Sequence, residues 1–150
     1  MTVLGINLVK DGLRYCVLDG SKDTPVLVHF EKVQTNNFPN TQQLMNWYET
    51  TFQNLITRFS PETIGIKVSL NAKKAEITPW YYPLGVLHNL SHQNQINTFE
   101  FVAGNFTSSK FGVDKSINIY DYIDQYFGVF QPKWDKNQKY ALLAAWMNLK

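Results

Sequence analysis

The chain has 150 residues, of which 44% are hydrophobic, and 14 basic against 12 acidic side chains leave a net charge of +2. This length and apolar content fit one domain over residues 1–150 with its own core, and so small a charge does not by itself indicate a nucleic-acid partner. Because the only cysteine is Cys16 and no apolar run approaches the roughly 20 residues that cross a bilayer, we exclude disulfide, cysteine–zinc and membrane-spanning classes and expect a cytoplasmic protein.

The first third of the chain predicts three consecutive strands joined by short turns. The strands are expected over residues 2–9, 13–18 and 25–33. Short gaps that contain Asp-Gly separate them, and such gaps favour antiparallel hairpins. The first strand has few polar residues, which is typical of a central strand covered on both faces.

A long amphipathic helix is predicted next, from Asn40 to Ser60. Asn40 can act as the N-cap, with Gln43 three residues later as partner in a capping box. Between these limits, large apolar residues recur at helical spacing: Leu44, Trp47, Tyr48, Phe52, Leu55, Ile56 and Phe59. Pro61 ends the helix, because proline disfavours helical geometry in the residue before it.

The rest of the chain predicts two further strands and three further helices. A fourth strand over residues 63–70 and a polar stretch precede a helix over 83–94, and a fifth strand follows over 97–102. Two last helices are expected, one over residues 116–127 and one that begins at Asp135. Asp135 can cap the second helix, with Gln138 as its partner in a capping box. Right-handed helical crossovers make strands one, four and five parallel. We therefore predict an α/β fold with a five-stranded mixed sheet in the order 3-2-1-4-5, flanked by helices.

This layout, with a glycine inside the first strand and an alanine-rich last helix, resembles the RuvC-like branch of the ribonuclease-H-like superfamily. The first strand of that family typically reads apolar-Gly-Ile-Asp, and the matching run here is Leu4-Gly5-Ile6-Asn7. Its fourth strand normally ends near a catalytic Glu, for which the best counterpart is Lys67. Its final helix opens with acids ahead of an Ala-Leu-Ala run, where this chain has Asn137, and Asp135 lies a couple of residues too early.

The resemblance implies phosphodiester hydrolysis by two divalent ions about 3.5–4 Å apart. Magnesium at such sites is held largely by carboxylate oxygens. Asn7 offers only a neutral oxygen, Lys67 would repel cations, and the single acid Asp135 does not hold two ions. We therefore expect no cofactor and no nuclease activity. The predicted function is that of a catalytically degenerate RuvC-like domain that binds nucleic acid or acts as an interaction module.

A candidate binding surface is predicted at and beyond the carboxyl ends of strands four and five, where ligands of open α/β sheets tend to bind. Lysines there can attract phosphates, and neighbouring rings can stack on unpaired bases or anchor a protein interface. The surface comprises Lys67, Lys73, Lys74, Trp80, Tyr81 and Lys110. The competing interpretation is that the lysines only solubilise the chain and that the aromatic loop covers the core.

Two other functions remain open at this point. A metal-dependent nuclease with rearranged ligands would use Asp135, with Asp114 and Asn7. A pure protein-interaction domain would use the aromatic loop and the acidic side of the helix over 116–127, where Asp121 and Asp124 are otherwise expected to be solvated. Self-association is an expectation that comes from the family alone.

The helix over 83–94 carries His88 and His92, four residues apart, a spacing that can bring two imidazoles to one metal ion. No Glu follows His88 as it does in a metalloprotease motif, and no third ligand is evident nearby. We therefore expect both histidines to be exposed, on the side opposite Val86 and Leu90.

Overall fold

The computed structural model, which describes residues 1–130 and 133–150, shows a five-stranded mixed sheet with helices on both faces. The strands are β1 (Val3–Val9), β2 (Gly12–Gly20), β3 (Pro25–Gln34), β4 (Thr63–Lys67) and β5 (Asn97–Phe101). They lie in the order β3-β2-β1-β4-β5. β1, β2 and β3 pair antiparallel, whereas β1, β4 and β5 pair parallel. The predicted strand order is confirmed.

Side-chain caps mark the starts of the first helix and of the last two helices. The helices are α1 (Thr41–Phe59), α2 (Ile77–Trp80), α3 (Tyr82–Gln93), α4 (Ile119–Phe127) and α5 (Lys136–Trp146). The Asn40 side chain accepts a hydrogen bond from the Gln43 backbone N–H at 2.9 Å, and Asp135 forms the predicted capping box with Gln138. Ser60 ends α1 in the left-handed region, at φ 45°. In the described part of the chain, no helix combines the length and the apolar character that crossing a membrane requires.

Several elements differ from the sequence prediction in their bounds, most clearly in the segment after β4 and at the start of α4. β4 ends at Lys67 rather than at residue 70. The polar stretch after it contains a 3₁₀ turn (Lys74–Glu76) and the short helix α2. Helix α4 begins only after Asn118, because the Asn118 side chain accepts hydrogen bonds from the backbone N–H groups of the first turn.

Alternate side chains of β1 enter two separate apolar clusters, one on each face of the sheet. On one face, Leu4, Ile6 and Leu8 pack with residues of α1 and α3, including the buried Phe52 and Leu87. The other face is covered by α5, whose residues 141–146 are all buried. A strand that is covered on both faces explains the near-continuous apolar sequence of β1.

Helix α5 lies directly against the backbone of β1 and β4, because two paired glycines leave room for it. Gly5 and Gly65 are register partners. A Cβ atom at Gly5 would lie 1.9 Å from the carbonyl oxygen of Ala141, and one at Gly65 would lie 2.0 Å from that of Ala144. This close approach sets the first turn of α5 at the carboxyl ends of β1 and β4.

Candidate functional site

A row of polar side chains crosses four strands beside the start of α5. Lys32 of β3 is paired with Arg14 of β2, Arg14 with Asn7 of β1, and Asn7 with Lys67 of β4. Because neighbouring strands lie about 4.8 Å apart, the row spans about 15 Å. These residues share the face of the sheet on which α5 packs, since side chains alternate along each strand. We call these four residues the polar row.

Asn7 connects the polar row to α5. Its side chain is 1% exposed, and its Nδ2 donates to the backbone oxygen of Asn137 at 3.1 Å and to the Asn137 Oδ1 at 3.2 Å. A buried amide of this kind is stable only when it has such partners. The two positions that the sequence singled out on β1 and α5 are therefore in direct contact.

Lys67 is half-buried and is held by neutral groups. Its Nζ donates to the Ser69 Oγ at 3.0 Å and lies 4.5 Å from the ring centroid of Tyr140. The Nζ of Lys136, in the first turn of α5, lies 5.7 Å from the same centroid. Burial, and next the charge of Lys136, hold the pKa of Lys67 below its ordinary value. A positive charge thus stands beside Asn7 at the end of β4.

Asp135 caps α5 beside the polar row, and both of its carboxylate oxygens are engaged. Oδ1 accepts from the Gln138 backbone N–H at 2.9 Å, and Oδ2 lies 3.0 Å from the Nζ of Lys32. Burial alone would raise the pKa of Asp135, but the Gln138 hydrogen bond and the Lys32 charge outweigh it and hold that pKa below its ordinary value. The carboxylate is therefore paired at the β3 end of the row, two strands from Asn7.

Arg14 was missed by the sequence analysis. It is 9% exposed; its Nη1 donates to the Leu13 carbonyl at 3.3 Å, and its Nε is buried without a hydrogen-bond partner. Its charge also contributes to the low pKa of Asp135. The signal was available, because a two-residue turn between Val9 and Gly12 sets Asn7 opposite Arg14.

The surroundings of the polar row are rich in cations and poor in ligands for metal ions. Four positive side chains, Lys32, Arg14, Lys67 and Lys136, lie in or beside the row, where Asp135 is paired with Lys32. Within residues 1–130 and 133–150, no group of three His, Cys, Asp or Glu side chains is arranged to hold a metal ion. The electrostatics of this site favour an anion over a cation.

The other predicted binding lysines lie outside the polar row. Lys73 and Lys74 are exposed at the 3₁₀ turn that follows β4, and Lys110 is exposed in another 3₁₀ turn (Ser108–Phe111), between β5 and α4. Their exposure leaves them available to a polyanion, which is what the prediction requires.

The prediction that the aromatic residues 80–82 lie in a loop is wrong. Trp80 ends helix α2 and Tyr81 lies between α2 and α3, and both are half-buried. The Tyr81 hydroxyl donates to the backbone oxygen of Ser69, whose own hydroxyl accepts from Lys67. The ring that is more exposed is Tyr82, at 51%. Proline at the first turn of α3 is compatible with a helix, and this is why Pro83 does not break the segment into a loop.

The acids of helix α4 behave differently from each other. Asp121 is exposed, as predicted. Asp124 is not solvated: its Oδ2 accepts from the Lys139 Nζ at 2.8 Å, and the Lys139 side chain is 9% exposed. Lys139 also donates to the Tyr120 carbonyl at 2.9 Å, so this ion pair fastens α4 to α5. Asp114 accepts from the backbone and the hydroxyl of Ser116 in a turn.

The histidines of α3 were predicted to be exposed, and this holds for His92 but not for His88. His88 is half-buried, with its Nε2 2.8 Å from the Glu100 Oε1 and its Nδ1 2.9 Å from the Thr98 Oγ1. These contacts join α3 to β5. Sequence periodicity cannot reveal such a pairing, because the partners lie on a different element.

The chain is similar to known proteins in structure but not in sequence. No protein-family model matches the chain, and no curated protein matches it in sequence. Among solved structures, Thermus thermophilus RuvC in complex with a Holliday junction substrate is similar at a TM-score of 0.75 with 16% identity, over 98% of this chain and 91% of that one.

Two further Holliday junction resolvases share the architecture. The yeast mitochondrial resolvase Ydc2 is similar at a TM-score of 0.62 with 13% identity, covering 97% of this chain and 77% of that one. The fowlpox virus resolvase is similar at 0.55 with 14% identity, covering 95% of both chains. The structural neighbours of this chain are therefore RuvC and related Holliday junction resolvases, and the protein has their ribonuclease-H-like fold.

Proposed function

We propose that this protein is a catalytically degenerate RuvC-like domain that binds nucleic acid, with branched DNA as the preferred form, and does not cleave it. The single observation that carries the proposal is the pairing of Asn7 with Lys67 on the central strands, beside the first turn of α5. The preference for branched DNA is taken from the neighbours of this fold, which are Holliday junction resolvases.

The residues at this place do not fit a two-metal site. Such a site needs several carboxylate oxygens around the ions. Asn7 contributes none, and its amide N–H group already faces Asn137. Two unit charges of the same sign 4 Å apart repel by about 4 kcal/mol at an effective dielectric near 20, so the Lys67 ammonium opposes a divalent cation by more than this. The ligand set supports loss of the metal chemistry.

The same charges support binding of a nucleic-acid backbone. Phosphates are attracted by lysine and arginine, and the release of counterions makes such binding sensitive to salt. Lys67 and Lys136 lie at one end of the sheet, and Lys73, Lys74 and Lys110 are exposed on segments that follow β4 and β5. The net charge of +2 is small, so the proposed binding depends on where these positive charges lie and not on the charge of the whole chain.

The first experiment measures binding and cleavage in the same samples. A labelled four-way DNA junction, a duplex and a single strand are titrated with protein in EDTA, Mg²⁺ or Mn²⁺. We expect binding that weakens with salt, is tightest for the junction and persists in EDTA, without cleavage in any metal. Metal-dependent cleavage would overturn the proposed degeneracy, and salt-independent or absent binding would overturn the nucleic-acid partner.

A second experiment tests whether carboxylates at positions 7, 67 and 137 would be close enough together to bind a divalent metal ion. The triple variant Asn7→Asp, Lys67→Glu, Asn137→Asp supplies three carboxylates at this end of the sheet. We expect Mn²⁺ to raise the melting temperature of this variant but not that of the wild type. A matched control makes the same charge changes elsewhere, with Asn46→Asp and Asn54→Asp on α1 and Lys22→Glu. An equal shift in the control would contradict the assignment.

The nuclease with rearranged ligands is the first alternative, and it would use Asp135 with Asp114 and Asn7. Asp135 is engaged by Lys32 and Gln138, and Asp114 by Ser116. Cleavage that Asp135→Ala abolishes would support this alternative. Its absence in Mg²⁺ and Mn²⁺, together with no metal-induced rise in melting temperature, would remove it.

The pure interaction domain is the second alternative, and one observation favours it. β3 is an edge strand of the sheet, and its Val26 and Val28 are 56% and 51% exposed. Edge strands with exposed apolar side chains can pair with another chain. Such a domain shows no salt-sensitive nucleic-acid binding. Charge reversal at Lys73 and Lys74 separates the two functions, because it weakens DNA binding only if the basic edge carries it.

A further inference from the structure

Two ammonium groups meet at one aromatic ring at the centre of the candidate site. The Nζ of Lys67 and the Nζ of Lys136 lie 4.5 and 5.7 Å from the ring centroid of Tyr140, and Lys136 also lies 5.0 Å from that of Tyr120. The lysines come from different elements, β4 and the first turn of α5. Cation–π attraction to the shared ring holds both charges in one place.

Neither ammonium is neutralised within the described parts of the chain. The ion pairs of residues 1–130 and 133–150 include those of Lys32 and Lys139 but none of Lys67 or Lys136. The carboxylate of Asp135, beside the polar row, is paired with Lys32. Lys139 in the same helix is paired with Asp124 of α4, so another lysine of α5 does have a counter-charge from a neighbouring element.

Two like charges that share a ring repel each other, and this repulsion is stronger where they are partly removed from water. An anion that contacts both ammonium groups reverses the sign of this interaction. An ammonium has three donors, and Lys67 uses one of them on the Ser69 hydroxyl. Lys136 is exposed, so a ligand can reach the pair from solvent. The arrangement therefore suits an anion with several acceptor oxygens, which is the chemistry of a phosphate.

We propose that Lys67 and Lys136 form a clamp that binds one phosphate group directly, without a metal ion, at the junction of β1, β4 and α5. This inference rests on the proposed function, because the phosphate it assigns is one of the bound nucleic-acid backbone. It goes beyond that function because it names the two lysines that contact the phosphate. The exposed Lys73, Lys74 and Lys110 then add general attraction, whereas the clamp sets the position of the backbone.

The experiment uses a minimal ligand, the deoxyadenylyl dinucleotide dApdA, which has one phosphodiester and no group that titrates at alkaline pH. Binding is followed by NMR titration of wild type, Lys67→Met and Lys136→Met. Methionine keeps an unbranched apolar chain against the Tyr140 ring while it removes the charge. We expect each variant to bind at least fivefold more weakly. The control Lys22→Met, in the turn between β2 and β3 at the other end of β2, stays within twofold of wild type.

The pH dependence gives a signature that loss of structure cannot imitate. Because Lys67 has a pKa below its ordinary value, dinucleotide binding weakens as the pH rises through that lowered pKa, below about 10.4. Lys136 is one cause of the lowering. In Lys136→Met the remaining binding is therefore lost at a higher pH than in wild type. An unchanged pH midpoint would contradict a shared clamp.

The outcomes separate this inference from the proposed function. If wild type binds the junction and the two methionine variants bind it equally well, the clamp is wrong and the proposed function stands. If wild type binds inorganic phosphate through both lysines but binds no DNA or RNA, the proposed function is wrong and the clamp serves a small phosphate ligand. In the expected case, junction binding weakens in both variants, and the slope of log affinity against log salt falls by about one for each lysine removed.

Discussion

The two faces of the sheet are built on different principles, and β1 shows the difference within one strand. Leu4, Ile6 and Leu8 face α1 and α3, where large apolar side chains fill the space between layers. Gly5 and Asn7 face α5, where the helix touches the strand backbone and its first turn hydrogen-bonds to the strand. Side-chain packing tolerates small changes of volume, whereas backbone contact does not. The candidate site lies at the end of this α5 face.

The largest expected effect is that of adding one methyl group beneath α5. In Gly5→Ala or Gly65→Ala the new Cβ must displace a backbone carbonyl, so we expect a loss of about 4 kcal/mol or more in the free energy of unfolding, or no folded protein. The control is Gly85→Ala on α3, where no atom lies within 4 Å. There, alanine stabilises the helix by about 0.5–1 kcal/mol. Urea unfolding checks both, and a mild effect at Gly5 would refute backbone contact.

On the opposite face, deletion of a core side chain should cost less than the clash beneath α5. Leu87 on α3 is 0% exposed, and Leu87→Ala is expected to lower the free energy of unfolding by about 2–5 kcal/mol through lost burial and a cavity. Leu70→Ala is the matched control, because Leu70 is 73% exposed, and it should change stability by less than about 0.5 kcal/mol. Equal costs for the two variants would show that the Leu87 cluster contributes little.

The contact between Asn7 and α5 should have an intermediate effect. Asn7→Ala removes both hydrogen bonds to Asn137, and we expect a cost of about 1–3 kcal/mol in thermal or urea unfolding. Asn46→Ala on the exposed side of α1 deletes the same amide and should be close to neutral. If Asn7→Ala leaves the free energy of unfolding unchanged, the glycine contacts alone position α5 and the Asn7 hydrogen bonds do not stabilise the fold.

The smallest expected effect is that of the pair Asp135–Lys32, whose side chains are 42% and 43% exposed. Asp135→Asn keeps the N-cap and loses only the charge, so its cost at pH 7 should be under about 1 kcal/mol. The folded pKa of Asp135 lies below its unfolded value of about 3.9, so the contribution is present above that pH and is lost as the pH falls through the folded pKa.

The measurement for this pair is the free energy of unfolding of wild type and Asp135→Asn between pH 7 and pH 2. We expect the difference between them to vanish at the acidic end. Lys32→Met should show the same loss at pH 7 and the same convergence. A difference that persists at pH 2 would assign the effect to the helix cap instead of the ion pair.

Much of the fold was predictable because its signals are local. The short turns after the first two strands, the caps at Asn40 and Asp135 and the apolar period of α1 each depend on residues a few positions apart. The errors fell at segment boundaries and in the stretch between β4 and α3. β4 ends earlier than its apolar sequence suggests, and residues 77–81 are mostly helical although they read as a loop.

The candidate site was predictable only in part, because some of its contacts join residues that are far apart in the sequence. Asn7 and Lys67 were identified from the pattern of β1 and β4, and their pairing follows from the sheet order. Arg14 was overlooked although the hairpin turn places it opposite Asn7. The contact of Lys67 and Lys136 with Tyr140 joins two elements, and no spacing along the chain indicates it.

By itself, the sequence determined the order of strands and helices and the absence of acids at positions 7 and 67, because alternation, capping and residue identity are properties of the chain. Only the tertiary structure decided that Asp135 is paired with Lys32 and that two lysines share one ring. These features depend on how closely α5 approaches the sheet. That distance is set by two glycines far apart in sequence, so it exists only once the chain has folded.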